Sequence, residues 1–397
     1  MMKDILGNLD NVPFKIMTGC IAGLLSCGTV AQSTVQQSIQ QSVDRHFKPL
    51  MAQYQISGMA IAVSINGQHY YQNYGVASKQ TEQNVSEHTL FELGSVSKLF
   101  NATLTGYAQA QGQLKLSDHP AQYFPELKNT AVNQATLLNL GTYTAGGFPL
   151  QFPEQIKTTQ DMTQYFQHWQ PKAAPRRIRE YSNPSIGLMG YVTALAMKNS
   201  YSNLIENTLF PALGMHHSYI NVPAAQMSNY AWGYQADQAI RVSPGMFDAE
   251  AYGIKSNTAD MLKFLDAQIN PQNLKPTLRK AIQTTQMGYF RVGQMRQGLG
   301  WEQYTYPVSL TTLLAGNSAK MALQPQPVTG ISKPITAPQQ ALLNKTGATN
   351  GFSAYVVVIP SQKIGLVMLA NRNFPNDARV KAAYATLQQI LNADIQK

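Results

Sequence analysis

Cysteine is almost missing from this chain: of 397 residues, only Cys20 and Cys27 are cysteines. Both fall in a segment that reads as a leader, so the mature chain is expected to have no disulfide, no cysteine nucleophile and no thiolate-bound zinc. Histidine is scarce as well. There are seven, and His216 and His217 are adjacent, so on a helix or strand they point apart. No metal and no cofactor is expected. Charged residues make up 13% of the chain against 44% hydrophobic ones, a globular composition whose polar surface comes largely from Gln, Asn, Ser and Thr. The apolar run Ile16–Val30 is shorter than the ~20 residues that span a bilayer.

What charge there is leans one way. Thirty Lys and Arg stand against twenty Asp and Glu, a formal net charge of +10. No long basic run accompanies it, so a nucleic-acid partner is not expected. The tightest cluster, Arg176, Arg177 and Arg179, reads as a solvated loop. The excess suits solubility and a mild preference for small anionic molecules.

Lys15 precedes the apolar run, and Thr29-Val30-Ala31 resembles a small-residue cleavage site, so residues 1–31 read as a secretory signal peptide. Export to the periplasm follows as an expectation. Leu24-Leu25-Ser26-Cys27 loosely resembles a lipoprotein signal, which leaves an anchor on Cys27 as the alternative.

Val35, Ile39, Val43, Phe47 and Leu50 recur at helical spacing and predict a helix over Val35–Tyr54. Gly58–Ile65 and Gln68–Ala77 read as strands around an Asn66-Gly67 hairpin turn. The other end mirrors this: strands over Phe352–Ile359 and Ile364–Asn371, then a helix capped by Asn376 or Asp377, with Ala341–Ala348 placed to pair with those strands. The middle is helical in pattern, including Val96–Gln111 and Ser185–Met197, and the proline-rich stretch Val308–Gln339 reads as irregular. The expected class is α+β, an α/β sandwich. An antiparallel sheet built from both chain ends (residues 32–95 and 231–397) is covered by the terminal helices, and a mostly helical lobe (96–230) is inserted, with the active site in the cleft between them.

Ser95 and Lys98 lie three apart at a helix start, so the amine can reach the hydroxyl. A serine needs a base, and a buried lysine becomes one because desolvation lowers its pKa. The helix N-terminus adds positive partial charge. Lys345-Thr346-Gly347 comes just before a predicted strand, where the small Gly347 leaves room for a flat substrate carrying a carboxylate. The N–H of Ala348 would form an oxyanion hole with that of Ser95. A Tyr-x-Asn triplet occurs at Tyr71, Tyr181, Tyr201 and Tyr219; only Tyr181-Ser182-Asn183 precedes a proline and a helix start, on a loop able to face a cleft. Its phenol is a candidate proton shuttle.

With these elements the chain resembles the penicillin-recognising serine hydrolases, and Tyr181-Ser182-Asn183 resembles their class C (AmpC-type) β-lactamase members. Phe91–Lys98, Asp248–Gly253 and Leu369–Arg379 strengthen the likeness. The resemblance implies a monomeric β-lactamase acting on β-lactam antibiotics, cephalosporins above all. Ser95 would form the acyl-enzyme while Lys98 and Tyr181 exchange protons. Gln151 and Asn183 would bind the substrate's side-chain amide, and Tyr252 would wall the pocket unless it is a core aromatic. Lys345, Thr346, Asn376 and Arg379 would meet its carboxylate. A D-alanyl-D-alanine peptidase or carboxylesterase on the same scaffold is the alternative. Two departures bear on substrate choice: Asn350 follows Thr349 where glycine is familiar, and Asp377 stands where proline is frequent.

Overall fold

The computed structural model describes residues 22–335 and 340–393, with side chains from residue 35 onward except 333–339. Most of the segment expected to be a signal peptide, including Cys20, therefore lies outside the described residues. The first helix, α1, is longer than its apolar spacing predicts and runs Ala22–Gln53. Ile39, Val43 and Phe47 along it are fully buried.

The centre is a nine-stranded sheet. In chain order its strands are β1 (Gly58–Ile65), β2 (Gln68–Gly75), β3 (Gly288–Val292), β4 (Met295–Gln297), β5 (Glu302–Thr305), β6 (Thr329–Ile335), β7 (Ala341–Ala348), β8 (Ser353–Ile359) and β9 (Ile364–Ala370). Across the sheet they lie in the order β6-β3-β4-β5-β7-β8-β9-β1-β2. The β1–β9 pairing, Met59 opposite Ala370 through Ile65 opposite Ile364, closes the two chain ends into one sheet. Asn66 (φ 53°) and Gly67 (φ 80°) make the β1–β2 turn in the left-handed conformations such a hairpin requires.

β1 is buried on both faces, and its alternation sorts side chains between two cores. Ile61 and Val63 meet Phe47 of α1 and Val380 and Leu387 of the last helix, Asn376–Asn392. Ala60 and Ala62 face Met261, Phe264 and Leu265 of the helix Thr258–Ile269. Each such apolar side chain removed from water contributes ~1.5–3 kcal/mol, so both helical layers are held to the sheet by burial. A third cluster joins Leu137, Leu140 and Phe166 to Ile186 and Val192 of the helix Asn183–Ala196.

Two readings need correction. The last helix has Pro375 at its cap position and no side-chain cap, so Asn376 is its first residue instead of its cap. The stretch 308–339 is not irregular throughout: it carries the helices Leu310–Gly316 and Ala319–Leu323 and the edge strand β6. An edge strand needs only one ladder of hydrogen bonds, which is why a sequence holding Pro334 serves there.

Candidate active site

Ser95 lies in the single turn Gly94–Ser97 that leads into the 13-residue helix Lys98–Ala110. The expected geometry is present: the Lys98 Nζ donates to Ser95 Oγ at 2.9 Å. Its second partner is the carbonyl of Ala251, at 2.8 Å. That carbonyl ends the short helix Asp248–Ala251, so the Asp248–Gly253 block acts as a seat for the lysine. Lys98 is fully buried. Burial pulls its pKa down to about 8; the Tyr181 phenol opposes this and the Lys345 ammonium adds to it.

Tyr181, just before the helix Asn183–Ala196, comes up to the same hydroxyl and to Lys98. Lys98 Nζ is 5.2 Å and Lys345 Nζ 5.0 Å from its ring centre, and the Arg179 guanidinium carbon is 5.6 Å away. Burial raises the phenol, but Lys345, then Lys98, then the Ser95 hydroxyl outweigh it and bring it to about 8. The Tyr181 hydroxyl is buried and near enough to Ser95 and Lys98 for a hydrogen-bond contribution from each to enter the titration, although no contact to it meets full hydrogen-bond geometry among the described residues. Lys98 and Tyr181 sense each other's charge, so they lose protons as a pair.

Lys345, Gly347 and Ala348 lie on β7, whose backbone is pressed against the Ser95 turn. A Cβ on Gly347 would stand 2.1 Å from the Leu93 oxygen and 3.1 Å from the Ser95 nitrogen. A Cβ on Gly94, at φ +50°, would stand 2.5 Å from the Ala348 nitrogen. Two glycines thus let the backbones of Ser95 and Ala348 come side by side, as an oxyanion hole needs. Gly347→Ala is expected to push β7 away and to slow acylation by roughly 100–1,000-fold, the loss typical of one misplaced donor. Single-turnover kinetics would measure it; a change under threefold would contradict this packing.

Ser95, Tyr181, Lys345, Thr346, Tyr252 and Asn376 share the lining of one cleft of about 710 Å³. Asn183 Nδ2 donates to Gln151 Oε1 at 2.9 Å on its wall, and the buried Asn183 Oδ1 has no described partner. Asn350 is also on the cleft lining, whereas Asp377 is exposed and paired with Lys381 at 2.9 Å.

Arg379 departs from expectation. It does not line the cleft; it is 2% exposed, and its guanidinium donates to Gly347 O at 2.7 Å, to Asn373 Oδ1 at 3.1 Å and to Phe374 O. Its donors are taken by the Phe374 and Gly347 carbonyls and the Asn373 amide oxygen, so it braces β7 instead of meeting a substrate carboxylate.

Arg179 reverses the solvated-loop reading. It is 1% exposed, and bonds Gln297 at 2.7 Å, the Met321 carbonyl at 2.8 Å and Glu302 at 3.2 Å. Glu302 also lies 4.0 Å from Lys345 Nζ. Sequence reading missed Glu302 altogether. The partners are 123 positions apart, and no local pattern joins them. Tyr143 was missed too: its ring is 4.8 Å from that of Tyr181, and it sits at φ 61°, a conformation that signals a constrained site in a non-glycine residue.

A serine hydroxyl bonded by a buried amine and close to a phenol, beside a central strand of an antiparallel sheet flanked by helices, defines the fold and site of the penicillin-recognising serine hydrolases. The β-lactamase family profile matches residues 43–390. A β-lactamase of Pseudomonas fluorescens is 51% identical over 350 residues, 88% of this chain and 98% of that protein. One of Escherichia coli K12 is 45% identical over 381 residues, 96% of this chain and 99% of its own length. A crystal structure of a β-lactamase/D-alanine carboxypeptidase from Pseudomonas syringae superposes with a TM-score of 0.86 at 44% identity, over 88% of this chain and 98% of that one. The chain belongs to the β-lactamase family, and its enzyme class is β-lactamase.

Proposed function

We propose that this enzyme hydrolyses β-lactams through a covalent Ser95 ester, in the manner of class C and with cephalosporins preferred. The observation that carries the reading is the 2.9 Å contact from Lys98 Nζ to Ser95 Oγ, made by an amine whose pKa burial lowers to about 8. The Ser95 oxygen attacks the lactam carbonyl carbon, and its proton passes to the Lys98–Tyr181 pair. The N–H groups of Ser95 and Ala348 hold the oxyanion. As the ring C–N bond breaks, Tyr181 hands the proton to the leaving nitrogen. Water then attacks the ester, the pair takes its proton, and Ser95 leaves reprotonated. Gln151 and Asn183 hold the side-chain amide; Lys345, Thr346 and Asn376 hold the carboxylate. The cephalosporin preference rests on the class C likeness of Tyr181-Ser182-Asn183. Repeated turnover of a chromogenic cephalosporin, faster than of a penicillin, tests the reading; one equivalent of acylation without release would overturn it.

The second reading is a D-alanyl-D-alanine carboxypeptidase, favoured by the double name of the Pseudomonas syringae relative. It shares the serine, lysine and tyrosine and differs in the release step, so the same turnover assay separates the two. A carboxylesterase would not need the buried Lys345. Export to the periplasm and a monomeric state complete the proposal. Its tests are leader cleavage, seen as the mass of the secreted chain, and sedimentation.

Lys345→Gln is expected to cut kcat/KM on carboxylated β-lactams by about 10–100-fold, the worth of a charge-assisted hydrogen bond. An ester substrate lacking the carboxylate should lose far less. The Lys345 ammonium lowers both Lys98 and Tyr181. Its removal raises both, so the rising limb of the pH–rate profile moves to higher pH. An unshifted limb would contradict the electrostatics.

A further inference from the structure

The cleft lining is positive at two separate places. At the first, Arg179 and Lys345 share Glu302, the one carboxylate among the described lining residues. One positive charge is left over there for a substrate carboxylate. At the second stands Arg241, which follows the short hairpin Gly233–Gln235 and Gln238–Ile240.

These places flank Ser95. Lys345 comes three residues before Ala348 on β7, and the chain leaves that strand through Thr349 and Asn350 to Gly351. A Cβ on Gly351 would lie 2.9 Å from Ile240 Cγ1 and 3.0 Å from Gly233 Cα. The hairpin and Arg241 therefore stand beyond the far end of the strand edge. A substrate lying along this strand with its carboxylate at Lys345 would extend its other end towards them.

Arg241 is held as a fixed plate. Its guanidinium carbon is 3.9 Å from the Tyr230 ring centre and 4.1 Å from that of Trp232. Nε donates to the Ala231 carbonyl at 3.1 Å and Nη2 to the Tyr230 carbonyl. Nη1 makes no hydrogen bond among the described residues. No described carboxylate lies within ion-pair distance of it either. The Glu92 carboxylate nearby is already taken by Tyr230 Oη at 2.6 Å, the Val242 N–H at 2.7 Å and the Thr349 hydroxyl. Two rings cover the faces of the guanidinium and two carbonyls fix its edge, so its orientation needs no further ordering when a ligand arrives. What is left is a half-buried, pre-oriented cation without an ionic partner on a cleft wall.

We propose that Arg241 is a specificity residue: it recognises a second anionic group, carried on the acylamino side chain of the β-lactam. This rests on the reading of the cleft as a β-lactam site. It predicts preference for dianionic substrates over monoanionic ones of equal shape.

The test compares one cephalosporin nucleus acylated with glutaryl, which ends in a carboxylate, or with pentanoyl, which does not. The wild-type enzyme should favour the glutaryl compound through a lower KM, and rising salt should narrow the ratio. Arg241→Gln should lower the glutaryl/pentanoyl ratio of kcat/KM by about 10-fold, the loss of a charge-assisted contact. Arg241→Lys should retain most of it. Equal losses on both substrates, or a wild-type ratio unmoved by salt, would overturn the proposal and leave Arg241 as a pin for the hairpin. If Arg241→Gln does not fold, Arg241→Met, which keeps an unbranched side chain beside the two rings without the charge, takes its place in the same comparison. Failure of the wild-type enzyme to open either ring would instead strike the β-lactam reading itself.

Discussion

Ser95→Ala is expected to lower the turnover of a chromogenic cephalosporin by on the order of 10⁴–10⁶-fold, as removal of a serine nucleophile does in other hydrolases. The fold should survive. Ser95 is only partly buried, on the cleft wall, and Lys98 keeps its bond to the Ala251 carbonyl when the hydroxyl goes. Reversible binding should survive as well, because Lys345, Gln151 and Asn183 do not depend on that hydroxyl. The variant should therefore quench like the wild type on substrate addition, yet release no product. Substantial residual activity would mean that another group attacks the ring.

The second large effect is expected at Tyr181. Removing its hydroxyl in Tyr181→Phe takes away the proposed shuttle between Ser95 and the leaving nitrogen. Kcat should fall by about 10²–10⁴, the usual worth of a positioned acid–base group. KM should change little, since the ring that packs against Tyr143 remains. The pH profile carries the sharper signature. In the wild type the base forms of Lys98 and Tyr181 appear as pH rises towards about 8, so the rate should climb over that range. The Tyr181 phenol raises the Lys98 pKa. Without it the amine loses its proton more easily, and the limb of the residual activity should move to lower pH. A limb that stays in place would separate the phenol from the titration.

How much of this could be read before the structure depended on distance along the chain. Ser95 and Lys98 are three residues apart, and helical spacing alone brings them together. The hairpin at Asn66-Gly67 and the strands Ser353–Ile359 and Ile364–Ala370 carry their own turn signals and apolar runs. β3, β4 and β5 were not foreseen. They are three to five residues long, and Arg291, Arg296, Gln297 and Gln303 give them no apolar alternation of their own. The neighbouring strands of the sheet impose their conformation. Tyr181 and Lys345 stood out through their motifs, whereas the Arg179–Glu302 pair arises only in the folded chain, where Ile178–Arg179 pairs with Gln326–Pro327 and the Arg179 side chain reaches Glu302 on β5. Arg379 shows the opposite limit: it lies within a family block, yet its guanidinium is buried and its donors are taken by protein acceptors, chiefly backbone carbonyls.

We propose that one hydroxyl, that of Ser95, becomes transiently esterified. Rapid-quench mass spectrometry of the enzyme mixed with a cephalosporin measures this directly. A ring-opened adduct should appear within the first turnover on the peptide containing Ser95 and decay at the rate of steady-state release. An adduct on another peptide, or full-rate hydrolysis with no adduct at any time point, would contradict the account.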